Sequence, residues 1–177
     1  MVIVSAARTP VGNFGGAYRD MNATQLGVVV AKAALERAGI TPADVDEVIF
    51  GSGGMPIKEA NLARQVALFA GVPYETPAYS VQRNCASGAQ ALASAVQGIR
   101  SGDGEAYLVG GSEHMSGAPY MLFGARWGLK LRHTEMEDSL WSGLTDQYTQ
   151  LLMGETAERL ADMYGISRLE QDQLAVE

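Results

Sequence analysis

Short unbroken apolar runs alternate, as far as Gly111, with longer stretches whose apolar residues recur every three or four positions. Runs of the first kind read as buried strands and stretches of the second kind as helices. Val2–Ala6, Glu47–Gly51, Tyr79–Arg83 and Glu105–Gly111 are the predicted strands. Between them, Ala23–Ala38 predicts a helix stopping at Gly39, and Asn61–Ala70 predicts one stopping at Gly71. A glycine just past the last apolar repeat supplies the left-handed residue that closes a helix. Thr41, Pro42 and Asp44 form a helix-start signature of hydroxyl cap, proline and acid. The loop ARTPVGNFGGAYRD is too rich in turn residues to continue the first strand.

Ser87–Arg100 differs from the other helices. Its apolar residues Ala89, Ala91, Leu92, Ala93, Ala95, Val96 and Ile99 cover most of the circumference. That distribution predicts a helix buried on nearly all sides, in the middle of a layered core. Strand and helix alternating in this order predict an α/β fold with largely parallel strands. After Gly111 the periodicity weakens, and SEHMSGAPYMLFGARWGLKLRHTEMEDSLWSGLTDQY reads as a loop-rich excursion. Helices resume at Gly154–Tyr164, and Ser167 with Glu170 forms a capping box that opens the last one. That helix meets Glu177 without a stop signal, as though the chain ended in mid-element. The division expected is residues 1–115 as one α/β domain and 116–177 as the start of a second, loop-built one.

Composition narrows the function. The 177 residues, 47% hydrophobic and 19% charged, suit a globular protein with a substantial core. No apolar run reaches the length of a membrane span, and the N-terminus lacks the pattern of a secretory signal. A net charge of −7 argues against nucleic-acid or anionic-membrane binding, which need basic surfaces. A single cysteine permits no internal disulfide and suits a reducing compartment such as the cytoplasm. Two histidines and one cysteine at scattered positions make no metal site.

That cysteine, Cys85, falls where a predicted strand ends and the Ala/Gly-rich helix begins. Two readings are open. Free cysteine is commonly a small buried hydrophobe. At a helix N-terminus, however, the unpaired N–H groups and the macrodipole favour thiolate, and the same N–H groups can hold a developing oxyanion. Ala86, Ser87 and Gly88 leave room for a substrate to reach the sulfur. A nucleophile also needs a base, and neither His114 nor His133 stands at a spacing that promises contact.

NCASGAQAL resembles the acylation-site motif of the thiolases, which transfer acyl groups between coenzyme A thioesters. SAARTPVGNFGG, NLARQVAL, GGSEHMSGAPY, GLTDQY and MGETAERLADMYGISRLEQD follow the order of that family, so the resemblance covers essentially the whole chain. It implies a thiolase-like layered α-β-α fold, this chain being the N-terminal half with part of an inserted loop domain. It implies that Cys85 is acylated and that its backbone N–H donates to the oxyanion. Leu144 and Met153 match residues lining the acyl and pantetheine pocket, although a methionine in a helical pattern is ordinarily packing. Leu152 stands where short-chain biosynthetic members commonly carry histidine, which leaves thiolysis of broader chains open. Asn84 and Ala86 depart from the commoner Cys-Gly-Ser-Gly form but keep the residues small. Arg126, Lys130, Arg132 and His133 match a cationic, tetramer-forming loop, or are a solvated face. His114 is expected to be a structural or surface histidine.

Family members are longer. Their second half carries the histidine that activates the cysteine, a second cysteine acting as acid and base, an asparagine holding a water, and most coenzyme A contacts. The resemblance therefore implies acyl-CoA and CoA as substrates with no separate cofactor, a missing half or second chain as partner, and a homodimer or tetramer. The expected activity is that of an acetyl-CoA acyltransferase. A decarboxylating ketoacyl synthase-like enzyme and a non-catalytic or split-subunit assembly protein of the same fold are the alternatives. An unpaired sheet edge and face are expected in a lone half.

Overall fold

The computed structural model describes residues 1–54 and 57–177. The chain divides into two compact units, Met1–Ala118 and Pro119–Glu177.

The first unit is built on a parallel sheet of β1 (Glu47–Gly51), β2 (Ala78–Val81) and β3 (Tyr107–Gly111) in the order β2-β1-β3. Alternation along β1 directs its side chains to two cores. Val48 and Phe50 join Leu108 in a cluster with α1 (Ala23–Ala38) and α2 (Leu62–Ala70). Ile49, on the other face, packs with Val109, Tyr107 and the Ala91–Ala95 stripe of α3 (Ser87–Ser101). The result is helix, sheet, helix: α1 and α2 on one face and α3 on the other. A parallel sheet covered on both faces has strands that read as unbroken apolar runs, which is why β1 was legible as one.

Local chemistry sets the ends of these elements. Asn22 and Gln25 cap each other reciprocally at the start of α1, and Gly39, in the left-handed region at φ 67°, closes it. Asn61 accepts from the Arg64 N–H at the start of α2. The predicted capping at Thr41 and Asp44 is present and opens a single 3-10 turn, Pro42–Asp44. At the start of β3, the Asp46 carboxylate accepts from the N–H groups of Glu105 (2.7 Å) and Ala106 (2.9 Å). Those two residues are thereby kept out of the ladder, which starts at the Glu47–Tyr107 pair rather than at Glu105.

The same two bonds, from Ala106 first and then Glu105, hold the Asp46 carboxyl below its usual value of 3.8. A depressed carboxyl stabilises the fold above its unfolded value, and that contribution is lost as pH falls through the folded one. The stability gap between the native protein and Asp46→Asn is therefore expected to be widest near neutral pH. It should close as pH drops below 3.8. Urea unfolding at a neutral and an acidic pH checks this; a gap of equal size at both would reject it.

Two expectations are corrected. Val2–Ala6 forms no strand: its backbone lies outside the sheet and Val2, Ile3 and Val4 are exposed. An apolar run becomes a strand only when a neighbouring backbone supplies the ladder. Here the segment is tied to α1 instead, the Ser5 hydroxyl donating to the Ala34 carbonyl and Arg37 to the Ala6 carbonyl. Nor is α3 buried on nearly all sides. Only Ser87, Ala91 and Ala95, four residues apart, are buried, while Leu92 is 41% exposed and Ala89 and Ala93 face outward. One sheet covers one stripe of a helix; the second apolar stripe has no partner among the described residues.

In the second unit, β4 (Tyr120–Met121) and β5 (Glu137–Asp138) form a two-stranded antiparallel ladder. α4 (Ser139–Leu144), capped by Asp138, follows directly. α5 (Met153–Tyr164) ends at Gly165, and the Ser167–Glu170 box opens α6 (Arg168–Val176) as predicted. No helix among the described residues is long and apolar enough to cross a membrane.

Candidate active site

Cys85 lies in the turn between β2 and α3, one residue before the helix cap Ala86, and its side chain is exposed. Within this chain the thiol is therefore not part of a core. β2 stops at Val81 because the next backbone groups are diverted: the Arg83 N–H donates to the buried Ser87 hydroxyl at 2.9 Å. That hydroxyl donates in turn to the Asn84 carbonyl at 2.6 Å, with the Ser52 carbonyl at 3.4 Å. Asn84 takes a left-handed backbone, φ 46°, one of two described non-glycine residues with positive φ. Asparagine tolerates this better than other residues, yet the conformation costs about 1–2 kcal/mol and persists only where the surroundings impose it. Ser87 is what imposes it here.

The seat of the helix is made by glycines of two strands. A Cβ on Gly51, the last residue of β1, would lie 2.3–2.6 Å from backbone atoms of Ser87 and Gly88. A Cβ on Gly111, the last residue of β3, would lie 3.4 Å from the Gly88 Cα. The first turn of α3 thus rests directly on main chain. Its amino end is brought to the carboxyl ends of parallel strands, where an open α/β sheet places its ligands.

A third layer of support comes from Glu113, just after β3. Its Oε2 accepts from the N–H groups of Gly53 (2.6 Å) and Gly54 (3.2 Å), and its carboxylate lies within 3.3–3.4 Å of the Ser52 hydroxyl. The Gly53 carbonyl accepts from Gln82 Nε2 at 2.7 Å. His114, beside it, points elsewhere and donates through Nε2 to the Tyr18 carbonyl at 2.8 Å, a structural role as expected. Gln82 and Glu113 do not stand out in the sequence, and Ser87, expected there only as a small residue leaving room for substrate, is instead buried and bonded to the turn. Their signal was available in outline, since a polar residue at a helix start and a charge just past a buried strand both need local partners.

Leu144 and Met153 belong to the second unit. Leu144 ends α4 and Met153 begins α5, and the loop between them is closed by its own bonds. The Asp146 carboxylate accepts from the Thr149 hydroxyl and the N–H groups of Tyr148 and Thr149, which lowers its pKa. The Asp146 N–H donates to the Leu151 carbonyl at 2.8 Å, and Thr145 pairs with Leu152 across an antiparallel bridge. Closing the loop brings Leu144 and Met153 together on an open apolar cavity of about 450 Å³, lined also by Trp141, Leu152 and Glu158. In the same unit, Arg126, Lys130, Arg132 and His133 are all exposed on the segment between β4 and β5.

The family model for the thiolase N-terminal domain matches residues 1–177. The chain belongs to the thiolase family. It is 43% identical over 175 residues to an acetyl-CoA acetyltransferase of Syntrophomonas wolfei, covering 97% of this chain and 44% of that protein. To an acetyl-CoA acetyltransferase of Cupriavidus necator it is 46% identical over 177 residues, covering 99% and 45%. The crystal structure of the Bacillus anthracis acetyl-CoA acetyltransferase matches with a TM-score of 0.94 at 44% identity, over 99% of this chain and 44% of that one. Human mitochondrial 3-ketoacyl-CoA thiolase in complex with CoA matches with a TM-score of 0.92 at 45% identity, over 97% and 44%. The expected thiolase-like α/β fold is thus the one observed, and this chain spans less than half the length of these thiolases.

Proposed function

We propose that the complete thiolase containing this chain is an acetyl-CoA acyltransferase and that Cys85 is its acylated nucleophile. The observation that carries the reading is the exposed thiol at the amino end of α3, on a turn held in a left-handed conformation. In the degradative direction the Cys85 thiolate attacks the C3 carbonyl carbon of a 3-oxoacyl-CoA. The new S–C bond forms, the C2–C3 bond breaks, and the electron pair leaves on C2, which takes a proton to become acetyl-CoA. The shortened acyl group stays on sulfur as a thioester. The thiolate of free CoA then attacks it, releasing acyl-CoA and restoring the Cys85 thiolate. The synthetic direction runs these steps backwards from two molecules of acetyl-CoA.

The Cys85 backbone N–H serves the oxyanion, while Leu144 and Met153 line the channel for the pantetheine and acyl parts. The base, the second acid and most coenzyme A contacts come from a C-terminal half or second chain, in keeping with the share of the relatives that this chain spans. Residues from 116 onward start the loop domain, whose cationic segment meets coenzyme A phosphates or a neighbouring subunit. The protein works as a cytoplasmic homodimer or tetramer in acyl-CoA metabolism. Leu152, standing where short-chain biosynthetic members commonly carry histidine, speaks against a dedicated acetoacetyl-CoA synthase and leaves thiolysis of broader chains open.

Intact mass of the complete protein before and after exposure to acetyl-CoA, with peptide mapping, tests this. A single acetyl group on Cys85 is expected. Absence of any acetyl group on Cys85 would reject the acyl-transfer reading and leave a non-catalytic protein of the same fold.

A further inference from the structure

Carboxylates accepting two main-chain N–H bonds are strong, directional anchors. Glu113 is one, and what it anchors is a loop with little means of fixing itself: Gly53 and Gly54 have no side chains and large conformational freedom. The loop lies between the carboxylate and the nucleophile turn. A Cβ on Gly53 would sit 3.2 Å from Glu113 Oε2 on one side and 3.5 Å from the Asn84 carbonyl on the other. From the loop, two polar bonds lead on to the residues around Cys85. Gln82, three residues before the cysteine, donates to the Gly53 carbonyl at 2.7 Å. Ser87, two residues after it, has its hydroxyl 3.4 Å from the Ser52 carbonyl. The turn bearing the sulfur is thus braced on both flanks against a loop that Glu113 holds.

We propose that Glu113 is a positioning residue for the Cys85 nucleophile, acting through the Ser52–Gly54 loop and not through contact with substrate; this rests on the acyl-transfer reading above. The carboxylate fixes the loop, the loop fixes Gln82 and Ser87, and Ser87 keeps Asn84 left-handed. Loss of the carboxylate frees the turn to relax. The sulfur and the oxyanion-binding N–H then drift from their working geometry, while the apolar surfaces that bind substrate are untouched. Displacements of about 1 Å at a reacting group cost on the order of a hundredfold in rate.

The test compares Glu113→Ala, Glu113→Asp and Glu113→Gln in the complete protein. Glutamine keeps an acceptor oxygen at full reach; aspartate keeps the charge but withdraws it by one methylene. Acetylation of Cys85 from acetyl-CoA and kcat are expected to fall roughly tenfold to a hundredfold in the alanine and aspartate variants. KM should change little, and glutamine should restore most of the loss. Should the alanine variant not fold, the aspartate variant carries the same comparison. Alkylation of Cys85 by iodoacetamide, which involves no coenzyme A chemistry, is expected to change rate in the same two variants. Folded alanine or aspartate variants that acetylate and alkylate at the native rate would overturn the positioning role while leaving the thiolase reading intact. A native protein that alkylates but takes no acetyl group would sink the thiolase reading instead.

Discussion

Replacing Cys85 by alanine in the complete protein is expected to abolish acyl transfer, by on the order of 10⁴- to 10⁶-fold, while leaving the fold in place. The two halves of this expectation have separate grounds. The side chain is exposed and lies in a turn whose hydrogen bonds are made by its neighbours Arg83, Asn84 and Ser87. Its removal therefore opens no cavity within this chain and leaves the hydrogen bonds of the turn in place, so the variant is expected to fold. The chemistry has no substitute on this chain, since Cys85 is its one cysteine and a covalent thioester requires a sulfur; a second cysteine acting as acid and base elsewhere in the complete protein does not stand at the amino end of α3. Cys85→Ser sharpens the test. A hydroxyl is close in size but far weaker as a nucleophile without strong activation, so it should be nearly as inactive as alanine. Full activity in Cys85→Ala would mean that the exposed thiol at the amino end of α3 is incidental.

The elements of the sheet were readable because each of its residues answers to one local rule. β1 is an apolar run covered on both faces, and its predicted limits, Glu47 and Gly51, are those observed. α1 was bracketed by Gly39 and by its apolar repeat. The two failures share a physical cause. Val2–Ala6 and the outer stripe of α3 are apolar but exposed, with no partner among the described residues. A sequence records that a surface must be covered, not whether the cover lies on the same stretch of chain. The site was half legible for a related reason. Cys85 and its helix are contiguous, so position alone suggested the thiol, whereas the brace from Glu113 and the glycine seat join residues far apart in the chain. Leu144 and Met153 carried no signal beyond the family resemblance. The closed loop that brings them together depends on Asp146, whose place as a turn-forming residue was not read.

Gly51→Ala should be the most damaging single methyl group that can be added near the site. The new Cβ would stand 2.3 Å from the Ser87 carbonyl carbon, 2.4 Å from its oxygen and 2.6 Å from the Gly88 nitrogen. All three are backbone atoms of the first helical turn, so no side-chain rotation relieves the clash. Either β1 leaves its register with β2 and β3, or α3 lifts off the sheet. Overpacking in a core with flexible neighbours costs about 1–3 kcal/mol, and a rigid contact such as this one belongs at or above the top of that range. If the helix is what moves, the Ser87 hydroxyl leaves Asn84 and the sulfur moves with it, so activity should fall further than stability alone would account for. Gly88→Ala is the matching control for stability, because nothing in the chain lies within 4 Å of the added methyl group. On α3 it should be neutral or stabilising by up to about 1 kcal/mol, as alanine is at other exposed helical positions. Thermal unfolding of both variants, with Cys85 acetylation measured well below the transition, separates the effects. A stable, fully active Gly51→Ala protein would show that α3 does not need its close seat on β1, and the account of how the fold presents this thiol would fail with it.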